Sequence, residues 1–551
     1  GTKSMTVMTG AEAIIKSLLV NGVDTVFGLP GGQLDYLFDA MYKEGDNIRL
    51  IHSRHEQGVA YMAYGYARST GKVGVYTVVP GPGLLNSAGA LCTAWANFTP
   101  VMCISGQIPS TAIGKGYGDL HEINDQLGMI SHITKWAERI DHPGLAPDRV
   151  QEAFKQLTTG SPQPVEIEMS MDIMALEAEV DLLPPISDYP RPSIDTAQIA
   201  EAVKILTSAK KPLIYVGSGA LDASREIRAL AEALQAPVVA FRAGKGVVSS
   251  EHYLSANHPM GHRLWGEADA VLAIGTRLHW PLVMWGKDDE LKLIRVDIDQ
   301  MQLERICKPE LGIVGDAADV SAAISVALSD VDHQPESREQ ELLALRAEID
   351  KLVRSKVGPQ MAYLDVIREE LPRDGIFVDE VTQVGFASWY GFPVYEPRQH
   401  ISAGYQGTLG FGYATALGVM AGNMDKRVIQ ISGDGGIMFN IQEISTAVQY
   451  QLPLVTIIFN DSRFTNVQRQ QKEWFDGRVI CSDLHNPDFV KLAESFGAAG
   501  FAAHDAESLR AAIRLAFLET GPSIIEVTVE EFFPPPWPFL MMPQNRKEVC
   551  A

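Results

Sequence analysis

Two short turns in the last quarter of the chain carry residue types that could hold a metal ion and a phosphate. The β-branched run Val428–Ile431 stops at Gly433-Asp434-Gly435-Gly436, where only glycine lets backbone amides come close to a phosphate oxygen. A second apolar run, Leu454–Phe459, follows Pro453 and stops at Asn460-Asp461. Residues 441–450 between them read as a crossover helix. Parallel strands joined in this way end side by side, so Asp434 and Asp461 should share the carboxyl edge of a sheet, where open α/β sheets bind ligands. Two carboxylates, a backbone carbonyl and water suit Mg²⁺ or Ca²⁺ bridging to a diphosphate. The bland alternative is two surface turns rich in Gly and Asp, because short glycine motifs carry little information alone.

The elements that would position these turns recur elsewhere. Strands are expected near Thr25–Phe27, Val73–Val79 and Val101–Ile104, with helices near 9–20, 32–42, 56–69 and 84–96. In this first third, a strand runs into Gly81-Pro82-Gly83, then a helix, Pro100 and a strand. The last third repeats that order through Gly433-Asp434-Gly435 and Pro453, which points to a duplicated fold. A third α/β unit lies between them, with strands at Leu213–Val216, Ala270–Ile274 and Leu293–Val296, and Pro-containing segments flank it on both sides. The expected class is α/β, three doubly wound domains over residues 5–185, 190–345 and 355–551. The tail Pro534–Pro543 cannot form a regular helix and reads as an extended apolar arm on the surface, poised to close over the active-site mouth.

Composition narrows the partners. A length of 551 residues suggests about three domains. A net charge of −22 argues against a nucleic-acid surface and against anionic membranes, so small molecules are the expected partners. No apolar run reaches membrane-spanning length. Five widely spaced cysteines without a CxxC pair indicate neither a disulfide framework nor a zinc site, which fits a reducing cytoplasm. The first four residues read as an added leader before a natural Met5, and no apolar signal core follows.

An Asp-Gly turn followed at this distance by Asn-Asn or Asn-Asp is similar to the thiamin diphosphate (ThDP) motif of the pyruvate decarboxylase and acetolactate synthase superfamily. Arg54-His55-Glu56-Gln57-Gly58 and the small-residue helix after it resemble another segment of that family nearly residue for residue. Gly407-Thr408-Leu409-Gly410-Phe411-Gly412 resembles a third. The resemblance covers nearly the whole chain and implies a pyrimidine-binding domain, a Rossmann-like central domain and a diphosphate-binding domain. It further implies ThDP and Mg²⁺ as cofactors, and active sites between subunits of a homodimer or homotetramer.

Residue by residue, the resemblance makes Glu56 the carboxylate that activates the pyrimidine, and Leu409 the residue that holds the cofactor bent. The Gly407 carbonyl would accept the 4'-amino proton. Gln383 and Val384 would bind diphosphate together with Gly433 and the amides of Gly435, Gly436 and Ile437. Asp434, Asp461 and the Arg463 carbonyl would ligate the metal. Leu29 and Pro30 would lie near the reactive end, with Gln107 on the substrate side. Lys135 resembles a lysine of the acetolactate synthases that lies in their herbicide-binding segment, or is a solvated helix residue.

Departures from the family pattern set limits. Leu120-His121-Glu122 stands where acetolactate synthases have Phe-Gln-Glu, so His121 could shuttle protons, or be a loop histidine. Gln470 replaces a tryptophan that selects a larger acceptor. Gly217-Ser218-Gly219 lacks the full dinucleotide fingerprint, and FAD is expected to be dispensable or absent; ADP or CoA stays open. The expected activity is that of a 2-oxo acid decarboxylase and carboligase, joining two pyruvates to acetolactate. A decarboxylase releasing an aldehyde, or a ThDP lyase acting on a diketone or an acyl-CoA, is the alternative. A non-catalytic ThDP sensor or a nucleotide-dependent oxidoreductase fits the residues less well.

Overall fold

The computed structural model describes residues 5–550; Gly1–Ser4, read above as an added leader, lie outside the described residues. Three six-stranded sheets, each wholly parallel, form the three domains. The first holds β1 (Thr25–Gly28), β2 (Arg49–Ile51), β3 (Gly74–Val78), β4 (Val101–Gln107), β5 (Trp136–Arg139) and β6 (Val165–Ser170) in the order β2-β1-β3-β4-β6-β5. The central sheet runs β9-β8-β7-β10-β11-β12, from β7 (Pro212–Val216), β8 (Val238–Ala240), β9 (Ser255–Ala256), β10 (Ala270–Ile274), β11 (Lys292–Asp297) and β12 (Leu311–Val314). In the third, β13 (Ile376–Val378), β14 (His400–Ile401), β15 (Val428–Gly433), β16 (Val455–Asn460), β17 (Ala499–Ala503) and β18 (Ser523–Thr528) run β14-β13-β15-β16-β18-β17.

The first and third sheets therefore have the same strand order, and the duplication expected from the two glycine turns is a property of the whole domain. β3 and β4 flank the Gly81 turn as β15 and β16 flank the Asp434 turn. Helices cover both faces of such sheets, so their central strands are continuous apolar runs with buried residues throughout β3 and β4. A short antiparallel ribbon, Met5–Thr9 with Glu177–Asp181, ties the two ends of the first domain together.

Helix Glu56–Thr70 of the first domain crosses helix Gly412–Gly422 of the third. Their backbones touch at Gly65 and Gly418, where a methyl group would overlap the carbonyls of Thr415 and Met62. Both helices begin at residues singled out above, so this seam ties the Glu56 end of one domain to the Leu409 loop of the other.

Two expectations fail in the tail. Instead of lying on the surface, the arm threads the seam between the central and third domains, with Phe539 and Leu540 buried. Trp537–Phe539 forms a 3₁₀ turn. His258 Nε2 meets the Leu540 carbonyl at 3.2 Å, and the Arg546 guanidinium donates to the carbonyls of Trp265 and Ala268. The path ends at a disulfide between Cys550 and Cys307, Cα atoms 5.7 Å apart, which cysteine spacing did not indicate. The reason is topological: a sequence separation of 243 residues is closed only because the arm returns to the central domain. Alkylation in the denatured, unreduced protein should label Cys92, Cys103 and Cys481 alone, and Cys550→Ser should cost about 2–5 kcal/mol of stability. Five labelled thiols would refute the bridge.

Candidate active site

At the carboxyl edge of the third sheet, β15 ends in Gly433 and passes straight into a helical turn, Asp434–Ile437. The first amides of such a turn have no intrahelical partner. Close approach is possible only because Gly435 and Gly436 lack side chains: a Cβ at Gly435 would sit 2.5 Å from the Phe464 ring, and one at Gly436 3.2 Å from Leu409 Cδ1. Leu409 thus overlies the turn. Gly407, on the same loop, adopts φ 54°.

Asp434 is buried and lies beside Asp461: its Oδ1 accepts from the Asp461 amide at 3.3 Å and its Oδ2 from Asn486 Nδ2 at 2.8 Å. Burial first, and then the Asp461 charge, push the Asp434 carboxyl up to about 6. No cationic side chain forms a salt bridge with either aspartate among the described residues, and the Asp461 carboxylate bonds only Thr465 Oγ1. Arg463 pairs with Asp483 in an isolated bridge whose hydrogen bonds run through neighbours, Phe464 N to Ser482 O (2.9 Å) and Leu484 N to Ser462 O (2.8 Å). The Arg463 carbonyl is left outside that ladder. Two adjacent carboxylates without a salt bridge, and a carbonyl outside that ladder, next to an open amide turn fit a hard divalent cation and a diphosphate.

Gln383 and Val384 open the helix Gln383–Gly391 across from this turn and are buried. Gln383 Oε1 accepts from Arg469 at 2.8 Å, and Arg469 also donates to the Phe533 carbonyl at the root of the arm. Asn486 and Arg469 were not singled out in the sequence. Asn486 bridges Asp434 and Asn460 Oδ1 (3.1 Å) from a loop without periodic pattern, so nothing in the sequence marks it.

The first domain presents the other group. Glu56 is the first residue of its helix, half-buried, and its Oε2 accepts from Asn86 Nδ2 at 3.1 Å. His121 has φ 68°, and its Nδ1 lies 2.8 Å from Gln33 Oε1. Pro30 is exposed and Leu29 half-buried, just past the end of β1. Gln107 is tied down at both ends of its amide, donating to Glu168 Oε2 (2.9 Å) and accepting from the Ile108 amide (2.8 Å). No hydrogen bond links Glu56 to the Asp434 cluster among the described residues. The two half-sites meet through neighbours instead, where Gln57 Nε2 donates to the Phe439 carbonyl (3.0 Å) and Glu443 Oε1 accepts from the Arg54 amide (2.9 Å).

Lys135 stands apart from this site. Its Nζ donates to the carbonyls of Gln156 (2.7 Å), Thr159 (2.7 Å) and Ser161 (3.0 Å), capping the end of helix Ala146–Thr158. Lys135→Met should lower stability by about 2 kcal/mol and leave turnover unchanged; a loss of turnover in the fully folded variant would restore Lys135 to the site.

A separate cavity of about 1380 Å³ opens at the carboxyl edge of the central sheet, lined in part by Gly217, Arg277, Trp280 and Asp297. It lies at the switch point between β7 and β10. Arg277 there donates to the Ala96 carbonyl (3.0 Å) and stacks on Phe98 and Tyr405.

Comparison with known proteins agrees with this architecture domain by domain. The family model for the thiamine pyrophosphate enzyme N-terminal TPP binding domain matches residues 8–129, that for the central domain residues 199–324, and that for the C-terminal TPP binding domain residues 380–527. Among curated relatives, a "Probable 2-ketoarginine decarboxylase" of Pseudomonas aeruginosa is 31% identical, covering 94% of each chain. A "Probable acetolactate synthase large subunit" of Methanocaldococcus jannaschii is 31% identical over 95% of this chain and 92% of its own. The acetolactate synthase isozyme 1 large subunit of Escherichia coli is 29% identical over 95% and 94%. With all three domains matched in order and the half-sites at the expected sheet edges, the chain belongs to the thiamin diphosphate-dependent enzymes, in the acetolactate synthase-like family.

Proposed function

We propose that the protein is a ThDP- and Mg²⁺-dependent 2-oxo acid decarboxylase and carboligase that converts two pyruvates to 2-acetolactate and CO₂. The observation that carries this reading is the pairing of Asp434 with Asp461 beside the Gly435–Gly436 turn, under Leu409. Relatives named acetolactate synthase support the choice of reaction. When bound, ThDP supplies a carbon that adds to the keto group and takes up the electron pair released with CO₂.

The chain's own residues bind, orient and exchange protons. Asp434, Asp461 and the Arg463 carbonyl hold Mg²⁺. The amides of Gly435, Gly436 and Ile437 hold diphosphate after the bend at Gly433, with Gln383 and Val384 closing the opposite side. Leu409 would pack against the cofactor from beneath, and the Gly407 carbonyl would accept a hydrogen bond from the 4'-amino group. Glu56 holds the proton at the pyrimidine nitrogen. Pro30 borders the reacting end and His121 offers a proton there. Gln107 acts by holding its strand end in place, its amide bonded to Glu168 and to the Ile108 amide. Turnover needs no flavin in this reading.

A homodimer or homotetramer completes the site. Both half-sites expose apolar side chains: Leu85 and Leu120 near Glu56, Met438 and Phe439 near Asp434. A second chain that covers them brings one chain's Glu56 to the other's metal site. The partner reading favours no nucleic acid, and no helix among the described residues is long and apolar enough to cross a membrane.

A second reading is a decarboxylase that protonates its product to an aldehyde. The half-buried His121, held by Gln33 on the Glu56 side, favours it, as does the relative named for 2-ketoarginine. The test of the shared part is CO₂ release from pyruvate and larger 2-oxo acids, with and without Mg²⁺ and ThDP. Release that requires both supports the proposal; none from any 2-oxo acid opposes it.

A further inference from the structure

We propose that Glu380 is the positioning residue of the cofactor site, its carboxylate fixing Leu409 by accepting the amide protons of Gly410 and Gly412 just after it. This rests on the reading of Leu409 as the prop beneath a bent cofactor. Glu380 follows β13 and is buried. Its Oε1 accepts from the amides of Val381 (2.9 Å) and Gly410 (3.0 Å), and its Oε2 from Gly412 (2.8 Å). One carboxylate thereby binds the start of the 381–384 segment to the loop that carries Leu409. Asn440 Nδ2 holds the same loop from the other side, donating to the Gly410 carbonyl at 2.7 Å.

The diphosphate turn packs on this carboxylate as well. A Cβ at Gly436 would lie 3.3 Å from Glu380 Cδ and 3.2 Å from Leu409 Cδ1, and one at Gly412 would lie 2.9 Å from Oε2. Glu380 thus touches all three segments that the proposed function assigns to the cofactor. Holding a carboxylate here is costly: burial pushes Glu380 up to about 7, against three amides that pull it down and a neighbouring Asp379 that adds to the rise. No cationic side chain bonds it among the described residues. An apolar residue of the same size would fill the space without that cost, but would leave the amides of Gly410 and Gly412 unpaired. The fold spends a buried charge where loop geometry decides where Leu409 sits.

Glu380→Gln sets an amide NH₂ against backbone donors, and Glu380→Asp keeps the charge but shortens its reach. Hydrogen exchange on the cofactor-free protein reads the loop directly, and does not depend on ThDP binding. In Glu380→Gln, peptides spanning 405–415 should exchange about tenfold faster, with exchange of the central domain unchanged. Once saturated with Mg²⁺ and ThDP, that variant should lose about a hundredfold in kcat, with a smaller change in KM for the 2-oxo acid. Glu380→Asp should fall between it and wild type, and decides alone if Glu380→Gln does not fold. Unchanged exchange, or faster exchange with wild-type kcat in the saturated enzyme, would overturn the proposal. Wild-type protein that exchanges as described but binds no ThDP would instead defeat the proposed function.

Discussion

Glu56→Gln lowers turnover by roughly two to four orders of magnitude while Mg²⁺ and ThDP still bind within a few-fold of wild type. The substitution keeps the shape of a side chain that begins the helix Glu56–Thr70 and accepts from Asn86 at 3.1 Å. It removes the one thing an amide cannot do there, which is to hold and release a proton. The diphosphate and metal contacts proposed above belong to the third domain, so binding and turnover should separate. Steady-state rates beside calorimetric titration of ThDP measure both. A variant with wild-type turnover would strip Glu56 of its role, whereas loss of binding along with turnover would make it a structural residue of the seam.

Asp434→Asn has the opposite signature: binding goes first. Asp434 and Asp461 face each other with no salt bridge to either among the described residues, and an asparagine would remove half of the charge this pair offers to Mg²⁺. ThDP affinity in Mg²⁺ should fall by at least about a hundredfold. The cofactor-free proteins should differ in the other direction. With its carboxyl raised to about 6 from an ordinary 3.8, native Asp434 holds a proton that the unfolded chain gives up. Asp434's contribution to the stability of the cofactor-free protein therefore falls as pH rises from about 4 to about 6, and Mg²⁺ with ThDP should restore it. Asp434→Asn should flatten that pH dependence and be no less stable at pH 7 without cofactor. Denaturant titrations at several pH values check the sign. A variant that is less stable without cofactor and still binds ThDP would contradict the metal assignment.

Much of this site was legible because strand ends and glycine turns are local features. An apolar run that stops at Gly433-Asp434, and another at Asn460-Asp461, fix a parallel pair and its edge without knowledge of the rest. The repeat of that pattern at Gly81 extended it to a second domain, and the shared strand order of the two sheets follows from the same logic. What the sequence hid is what depends on distant segments meeting. Asn486 reaches Asp434 from a loop whose sequence has no period, and Glu380 finds its amides 30 and 32 residues away. The Cys307–Cys550 bridge needs the tail to return across two domains. The central domain's edge strand Ser255–Ala256 is too short to leave an alternating pattern. Gln107 and Lys135 show the same dependence: their hydrogen bonds go to Glu168 and to backbone groups that no sequence pattern marks as their partners.

The most direct test of the proposed reaction is proton NMR of products from pyruvate, Mg²⁺ and ThDP without added FAD, run beside the Glu56→Gln variant. The proposal predicts 2-acetolactate that accumulates with wild type and not with the variant. Acetaldehyde alone would contradict the carboligase and move the assignment to a decarboxylase with His121 as proton donor; no consumption of pyruvate, with ThDP bound, would contradict pyruvate as the substrate.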